Sequence, residues 1–395
     1  MLTLFACPKA FRGHIATIQR NAILSWIAIN PRPEIILMGS DEGVAEIALE
    51  LGLEHIPTVD CSDSGTPLVS SLFEIAQSIG NGSLFVYTNS DILLPKEFSQ
   101  KINQVSFDRF MLSGQRWNLD VIESLEDLGE SWQTKLTERV KTSGRLEGPQ
   151  AMDYFVFPKG TYTQLPNFAV GRPGWDNWML YHALETGMVV VDATNSIMAI
   201  HQNHDYRHHP DGKQGVYEGI EAKQNLKLAG GRNYAYFMLD LANWRLEAEG
   251  IQQPRWNSAL LRRYLDMLPF VYPEFRSWAA LLWYFIENRV YGEVDELHIE
   301  SFCQTVGDTF FGHKDTWFRF SALSGNISSD AYLPTPEQNE EIIRLNQALQ
   351  VTQKTLQLKQ AELESLQYRV ERIENSKPWK FWCRLRSMKS FFLNG

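Results

Sequence analysis

The triplet Asn89-Ser90-Asp91 directly follows the apolar run 83–88 (SLFVYT), which is typical of a buried parallel strand. A carboxylate at the end of such a strand can coordinate a hard cation, which in turn offsets the charge of a diphosphate. Asn-Ser-Asp is also a common turn sequence, so Asp91 could simply cap the next turn. The triplet therefore indicates a candidate metal and phosphate site, with Asp91 as a catalytic residue and metal ligand.

A second acid, Asp176, lies where the Gly/Pro-rich segment 171–174 leads into a predicted helix. If that segment lies over the active edge of a sheet, Asp176 could act as a general base toward a hydroxyl. The alternative is a cap, in which the carboxylate accepts hydrogen bonds from the free N–H groups of the helix and does no chemistry.

The densest group of ionisable side chains is the segment 201–209 (HQNHDYRHH). Imidazole can ligate a transition metal, contact phosphate when protonated or relay a proton. Gln202 breaks the HExxH pattern, so a zinc protease is disfavoured. His201 and His204 come just after a predicted strand and are expected to belong to the site. His208 and His209 are assigned to a solvated loop.

Two other loops carry groups suited to a nucleotide. Lys9 or Arg12, after the first predicted strand, could reach a phosphate. Asp41, after the second, could accept hydrogen bonds from a nucleobase or ribose. Neither loop matches GxGxxG or GxxxxGK[ST], and no GxSxG is present, which disfavours Rossmann dinucleotide binding, P-loop chemistry and an α/β-hydrolase.

The elements that must position these residues alternate along the chain. Strand-like runs at 2–6, 34–39, 55–59 and 83–88 alternate with helical patterns at 14–29, 44–53 and 68–79. This predicts an α/β fold with a mainly parallel sheet and helices on both faces. Ligands bind outside the carboxyl ends of such strands, so we expect the site in the loops after Ala6, Met38 and Thr88.

The remainder of the chain is less regular. Strands are predicted at 154–157, 188–192 and 197–201 and a helix at 175–186, and residues 220–320 are predicted to be largely helical. Apolar residues at heptad spacing over 342–373 predict a coiled coil, dimeric or intramolecular. The basic, aromatic tail 375–395 suits an anionic membrane surface, or else docks on a protein. The predicted domains are 1–235, 236–330 (helical extension), 331–374 (linker and coiled coil) and 375–395.

Composition excludes several classes of protein. The 395 residues include 37 Lys and Arg against 47 Asp and Glu, a formal net charge of −10, which argues against a general nucleic-acid binder. Four separated cysteines without a CxxC pair fit a reducing compartment. No run of about 18 apolar residues is present. We expect a cytoplasmic protein, peripheral at the inner face of the membrane if the tail binds lipid.

Several segments resemble those of bacterial GT-A-type glycosyltransferases, which are nucleotide-diphospho-sugar transferases. The resemblance extends over about residues 1–235. It is carried by the segments 5–11 (FACPKAF), 35–41 (IILMGSD), 65–67 (GTP), 85–92 (FVYTNSDI), 152–158 (MDYFVFP), 174–178 (GWDNW) and 201–206 (HQNHDY).

The resemblance implies a GT-A-like fold and a divalent cation, Mn²⁺ or Mg²⁺, held by an Asp-x-Asp motif. Asp91 matches the last acid of that motif, whereas Asn89 replaces the first. His201 or His204 is similar to the histidine that completes the metal shell in some members. Asp176 aligns with the acid that deprotonates the acceptor in inverting members.

The same resemblance implies the substrates. Asp153 lies in the acceptor-side strand, and Asn89 and Trp175 are further candidate substrate-binding residues. The expected partners are a nucleotide-diphospho-sugar donor and a glycan or lipid-linked acceptor, as in the synthesis of cell-surface polysaccharide. Because Asn89 replaces an acid, a catalytically inactive nucleotide-sugar-binding scaffold is one alternative. A nucleotidyltransferase that releases pyrophosphate is another.

Overall fold

A computed structural model describes residues 1–204, 212–287, 296–310 and 359. These residues fall into two compact units. The first contains Met1–Tyr272 and the helix Glu296–Phe310, and holds every candidate site residue. The second contains the described segment 273–287. The predicted coiled coil and basic tail lie outside the described residues, apart from the helical residue Lys359, as do His208 and His209.

The strands are named in chain order. They are β1 (Leu2–Ala6), β2 (Glu34–Met38), β3 (Glu54–Ile56), β4 (Leu84–Thr88), β5 (Ile92–Leu93), β6 (Phe110–Ser113), β7 (Arg116–Leu119), β8 (Arg145–Leu146), β9 (Tyr154–Pro158), β10 (Val189–Asp192), β11 (Ala199–Gln202), β12 (Trp244–Glu247) and β13 (Gly250–Gln252).

The helices are named in the same way. They are α1 (Gly13–Ile27), α2 (Val44–Leu51), α3 (Val69–Ile79), α4 (Phe98–Ile102), α5 (Leu125–Leu128), α6 (Trp132–Ser143), α7 (Trp175–Glu185), α8 (Gly212–Glu218), α9 (Ile220–Leu228), α10 (Ser258–Val271), α11 (Arg276–Glu287, in the second unit) and α12 (Glu296–Phe310). Short 3₁₀ helices cover Arg232–Tyr236, Leu239–Leu241 and Pro273–Phe275.

The main sheet has nine strands in the order β13-β12-β10-β6-β9-β4-β1-β2-β3. Its pairs are parallel except where β9 lies between β4 and β6 and where β13 flanks β12. The prediction of an α/β fold with a mainly parallel sheet is therefore confirmed. A smaller sheet, β5-β11-β7-β8, branches off directly after Asp91.

Both faces of the main sheet are buried. Side chains alternate along each strand, so each strand contributes residues to both faces. On β1, Leu4 and Ala6 belong to an apolar cluster with Trp26 of α1. Phe5 points the other way and meets Phe73 of α3 with ring centroids 5.0 Å apart. Helices therefore cover both faces, as predicted.

The sequence patterns located the strands β1, β2 and β4, with the ends of β1 at Ala6 and of β4 at Thr88 correct. The predicted run 34–39 extends one residue beyond the observed end of β2 at Met38. They missed the elements between Asp91 and Asp153, among them most of the small sheet. The prediction that residues 220–320 are largely helical also missed β12 and β13, which extend the main sheet beyond β10. None of the described helices has the length and hydropathy needed to cross a membrane.

Gly43 links the loops that follow β1 and β2. It has φ +87°, and a Cβ placed there would lie 2.7 Å from the Cβ of Phe11. The Phe11 backbone N–H also donates to the carbonyl of Glu42 at 2.8 Å. The two loops at the carboxyl edge of the sheet are therefore packed directly on one another.

We expect Gly43→Ala to lower the free energy of unfolding by about 2–4 kcal/mol, because it combines an unfavourable left-handed backbone with a steric clash. Gly52→Ala is the matched control, since Gly52 has φ +63° but no atom within 4 Å of its added Cβ. Urea unfolding of the two variants measures the difference. Equal losses would show that the packing of Phe11 on Gly43 contributes nothing.

Candidate functional site

The predicted site residues gather at one edge of the main sheet. β1, β2 and β4 are parallel, so Lys9, Asp41 and Asp91 all follow carboxyl ends at that edge. β9 runs antiparallel to β4 and begins where β4 ends, with Tyr154 opposite Thr88. The chain therefore delivers Asp153 to the same edge, a consequence of strand direction that the sequence pattern does not reveal.

Asp91 lies against both predicted histidines. Its Oδ2 is 3.0 Å from Nε2 of His204 and 3.6 Å from Nε2 of His201. The register of the small sheet creates this contact, because His201 on β11 pairs with Ile92 on β5, the residue after Asp91. The ligand atoms of the three side chains all lie within 4.8 Å of one another.

The backbone of Asp91 is held by Gln202, which is completely buried. The Gln202 Nε2 donates to the carbonyl of Asp91 at 3.2 Å and to the carbonyl of Ile18 in α1 at 2.7 Å. Its Oε1 accepts a hydrogen bond from Asn21 Nδ2 at 3.0 Å. Gln202, which the sequence used only to exclude a zinc-protease motif, therefore positions the candidate site against α1.

Electrostatics favour an ionised Asp91. Burial alone would raise the pKa of Asp91, but His201 and His204 in their protonated forms, the charge of Lys9 and a hydrogen bond from His204 hold this pKa well below its ordinary value. Burial lowers the pKa of His201, opposed by the charge of Asp91. A carboxylate and a neutral imidazole are the protonation states that bind metal ions.

The residues present fit a divalent cation. Within the described part of the chain, Asp91 Oδ1 and His201 Nδ1 are buried and make no hydrogen bond. Neighbouring ligands of an octahedral ion lie about 3 Å apart when each is about 2.1 Å from the metal. The separation of Asp91 from His204 is of that size. One carboxylate and two imidazoles thus form a ligand set that suits a divalent transition-metal ion.

Asn89 makes two hydrogen bonds to Asp153. Its Nδ2 donates to Asp153 Oδ1 at 2.6 Å, and its backbone N–H donates to the Asp153 carbonyl at 2.9 Å. The other carboxylate oxygen of Asp153 accepts from Arg116 Nη1 at 2.9 Å. An aspartate at position 89 would face Asp153 with no proton to donate. The hydrogen bond to Asp153 therefore explains why position 89 is an asparagine and not an aspartate.

We expect Asn89→Asp to lower the free energy of unfolding by about 1–3 kcal/mol, because a charge-assisted hydrogen bond becomes a carboxylate pair. The exchange variant Asn89→Asp/Asp153→Asn restores one donor and one acceptor and should recover part of that loss. A double-mutant cycle by chemical denaturation measures the coupling. Strictly additive losses would contradict a direct Asn89–Asp153 interaction.

Asp176 lies in the first turn of α7, two residues after Gly174, whose backbone is left-handed. Its Oδ1 accepts hydrogen bonds from the backbone N–H of Asn177 at 2.9 Å and of Gly174 at 3.3 Å. Burial raises the pKa of Asp176 to about 6, and the charge of Asp153 adds to this effect while the two N–H groups oppose it. The N-cap residue of α7 is Gly174 and not Asp176, so the cap alternative is wrong in that form. Asp176 accepts backbone N–H groups from within the first turn and keeps the pKa of a usable base.

We expect Asp176→Asn to be more stable than the wild type at neutral pH, by up to about 3 kcal/mol. The raised pKa means that the folded wild type binds the proton more tightly than the unfolded chain. Ionising Asp176 therefore costs stability as pH rises from about 4 to 6. The stability difference between variant and wild type should grow over that interval and level off above it. Unfolding curves at several pH values measure it, and a difference independent of pH would contradict the raised pKa.

Two basic residues that the sequence did not single out complete the charge pattern. Arg116 pairs with Asp153 as described above. Arg172, in the segment before α7, acts electrostatically on Lys9, as do Asp91 and Asp41. The sequence could have indicated Arg172, because it is a basic residue within the Gly/Pro-rich segment 171–174 that precedes α7. No local signal marked Arg116.

Arg172 is held by Glu221 of α9, whose side chain is largely buried. Arg172 Nη2 lies 2.9 Å from Glu221 Oε2. The same carboxylate accepts from Ser62 Oγ at 2.5 Å and from Thr66 Oγ1 at 2.9 Å. Glu221 therefore ties the loop before α3 to the loop before α7, and it is a residue that only the tertiary structure reveals.

The remaining predicted residues have other contacts. Arg12 is exposed and paired with Glu42, its Nε donating at 2.8 Å. Asp41 is exposed and acts electrostatically on the thiol of Cys7. Trp175 is 5% exposed, and its ring packs in the core with its centroid 5.1 Å from that of Tyr87. Substrate binding by these three residues stays a prediction.

No protein-family model and no curated protein match the sequence. Among solved structures, the chain is similar to glucosyl-3-phosphoglycerate synthase from Mycobacterium tuberculosis in complex with Mn²⁺, uridine-diphosphate and phosphoglyceric acid. The identity is 14%, over 59% of this chain and 79% of that chain, with a TM-score of 0.34. For S. aureus TarS 1-349 the identity is 9%, over 51% of this chain and 60% of that chain, with a TM-score of 0.34. Likenesses this distant leave the function to be argued from the site.

Proposed function

We propose that the protein transfers a sugar from a nucleotide-diphosphate donor to an acceptor hydroxyl, with a divalent cation at Asp91, His201 and His204. The proposal is carried by the Asp91 cluster, an ionised carboxylate with an unpaired buried oxygen at the carboxyl edge of a mainly parallel sheet. Lys9 adds positive charge beside it, and Arg172, which is paired with Glu221, acts electrostatically on Lys9. A metal-binding carboxylate beside a lysine suits a diphosphate.

The cation, when bound, supplies positive charge that stabilises the diphosphate as it leaves the sugar. Asp91, His201 and His204 hold it. One carboxylate and two imidazoles suit Mn²⁺ better than Mg²⁺, because Mg²⁺ strongly prefers oxygen ligands. We therefore propose Mn²⁺ as the preferred ion.

Asp176 acts as the general base. It takes the proton of the acceptor hydroxyl while the acceptor oxygen forms a bond to the anomeric carbon of the sugar. The bond between that carbon and the diphosphate oxygen breaks, and its electron pair stays on the diphosphate, next to Lys9. A pKa of about 6 keeps Asp176 ionised at neutral pH yet basic enough to accept a proton.

The acceptor and the cellular setting are proposed from the sequence alone. We propose a glycan or lipid-linked acceptor in the synthesis of cell-surface polysaccharide. In this proposal the heptad segment 342–373 pairs two chains, and the basic tail 375–395 holds the enzyme at an anionic membrane. This proposal is supported by the heptad spacing and by the interleaved basic and aromatic residues.

We expect Asp91→Asn to weaken Mn²⁺-dependent binding of UDP or GDP by at least about tenfold and to abolish sugar transfer, because the carboxylate provides the only anionic ligand of the cluster. Calorimetric titration with and without Mn²⁺ measures binding, and product formation from a panel of UDP- and GDP-sugars measures transfer. Asp108→Asn is the matched control. Asp108 is exposed and precedes β6 at the opposite edge of the sheet.

The same measurements separate the alternatives. Mn²⁺-dependent nucleotide binding without transfer from any donor favours the scaffold. Release of pyrophosphate from a nucleoside triphosphate favours a nucleotidyltransferase. Mn²⁺-dependent binding that survives Asp91→Asn unchanged would remove the proposed site altogether.

A further inference from the structure

A separate cavity of about 350 Å³ lies on the face of the small sheet that points away from His201. Its floor is a row of cross-strand neighbours, in which Leu93 is opposite Ile200, Ile200 opposite Trp117 and Trp117 opposite Leu146. His201 follows Ile200 on β11 and so points to the other face of the sheet. The cavity is therefore separated from the candidate metal site by the sheet itself. Its volume is at the lower end of the range for small-molecule sites.

The walls and mouth of the cavity combine apolar and polar groups. Trp132, at the start of α6, contributes a second indole ring. Leu146 is 38% exposed, so the apolar floor continues to the open edge of β8. The rim carries carboxylate and amide groups, from Glu97, Gln133 and Asn195.

The polar rim is already ordered by the protein. Gln133 donates to Glu97 Oε2 at 2.8 Å and accepts from the backbone N–H of Lys96 at 2.8 Å. Asn195 donates to Glu247 Oε1 at 2.9 Å. A ligand would therefore meet fixed groups and would not have to order them, which reduces the cost of binding.

We propose that this cavity binds a neutral saccharide unit. Lys96, between the lining residues Pro95 and Glu97, donates from Nζ to the Glu130 carbonyl at 3.1 Å and lies 5.8 Å from the centroid of the Trp132 ring. The carboxylate of Glu97, in the same rim, would oppose a phosphate or carboxylate ligand. An alkyl chain would leave Gln133 and Glu97 facing apolar atoms. A sugar ring presents an apolar C–H face to Trp117 and hydroxyl groups to the rim, which matches both parts of the lining.

The saccharide site does not depend on the proposed function. It requires neither nucleotide nor metal, and its residues belong to the opposite face of the small sheet. Failure of sugar transfer would leave it intact, and failure of saccharide binding would leave the Asp91 site intact.

The test uses the full chain without nucleotide or metal. Neutral tetrasaccharides of glucose, mannose and N-acetylglucosamine are titrated by calorimetry and by saturation-transfer NMR, with octanesulfonate as an alkyl probe. We expect at least one tetrasaccharide to bind and octanesulfonate not to compete with it.

Two variants locate the binding. Leu146→Lys, at the exposed mouth, should weaken saccharide binding by at least about tenfold, and Asn195→Ala, which removes an amide of the rim, by about fivefold through one lost hydrogen bond. Ile122→Lys is the matched control, since Ile122 is 78% exposed and does not line the cavity. All three variants should keep the wild-type Mn²⁺-dependent UDP affinity. The proposal is overturned if no tetrasaccharide binds, if octanesulfonate displaces the bound one, or if binding survives both cavity variants unchanged.

Discussion

The candidate site depends on keeping one carboxylate ionised away from bulk water. Burial of Asp91 opposes its charge, and the structure offsets this with His201, His204 and Lys9. The backbone is restrained as well, because Gln202 bonds the Asp91 carbonyl to α1. An ionised carboxylate in a fixed position is suited to bind a cation. Asp91 Oδ1 accepts no hydrogen bond from the described residues, so this oxygen could still act as a ligand.

Strand β11 serves both faces of the small sheet. His201 points toward Asp91, whereas Ile200 points into the cavity floor beside Trp117. Alternation along a single strand thus places a candidate metal ligand and the cavity floor on opposite faces of the small sheet.

The anchoring of the loops follows the same logic. Glu221 accepts hydrogen bonds from Ser62 and Thr66 and pairs with Arg172. Asp153 accepts a hydrogen bond from Asn89 and pairs with Arg116. Each of these groups joins residues more than 35 positions apart in the chain. Polar groups that are partly removed from water need such partners, which explains why charged residues here come in sets of opposite sign.

Local patterns in the sequence were sufficient for the parts of the protein that local physics determines. Apolar runs located β1, β2 and β4, and the rule that ligands bind at carboxyl ends selected Lys9, Asp41 and Asp91. The strands β5, β6, β7, β8, β12 and β13 were missed, and each has only two to four residues and so a weak periodic signal. The strands β10 and β11 are as short but were located, because they lie in the apolar runs 188–192 and 197–201. Tertiary structure alone decided that Asp153 meets Asn89, that Arg116 and Glu221 belong beside the site, and that a cavity lies behind His201. These contacts depend on strand direction and register, which are set by the packing of the whole sheet and are invisible in any one segment.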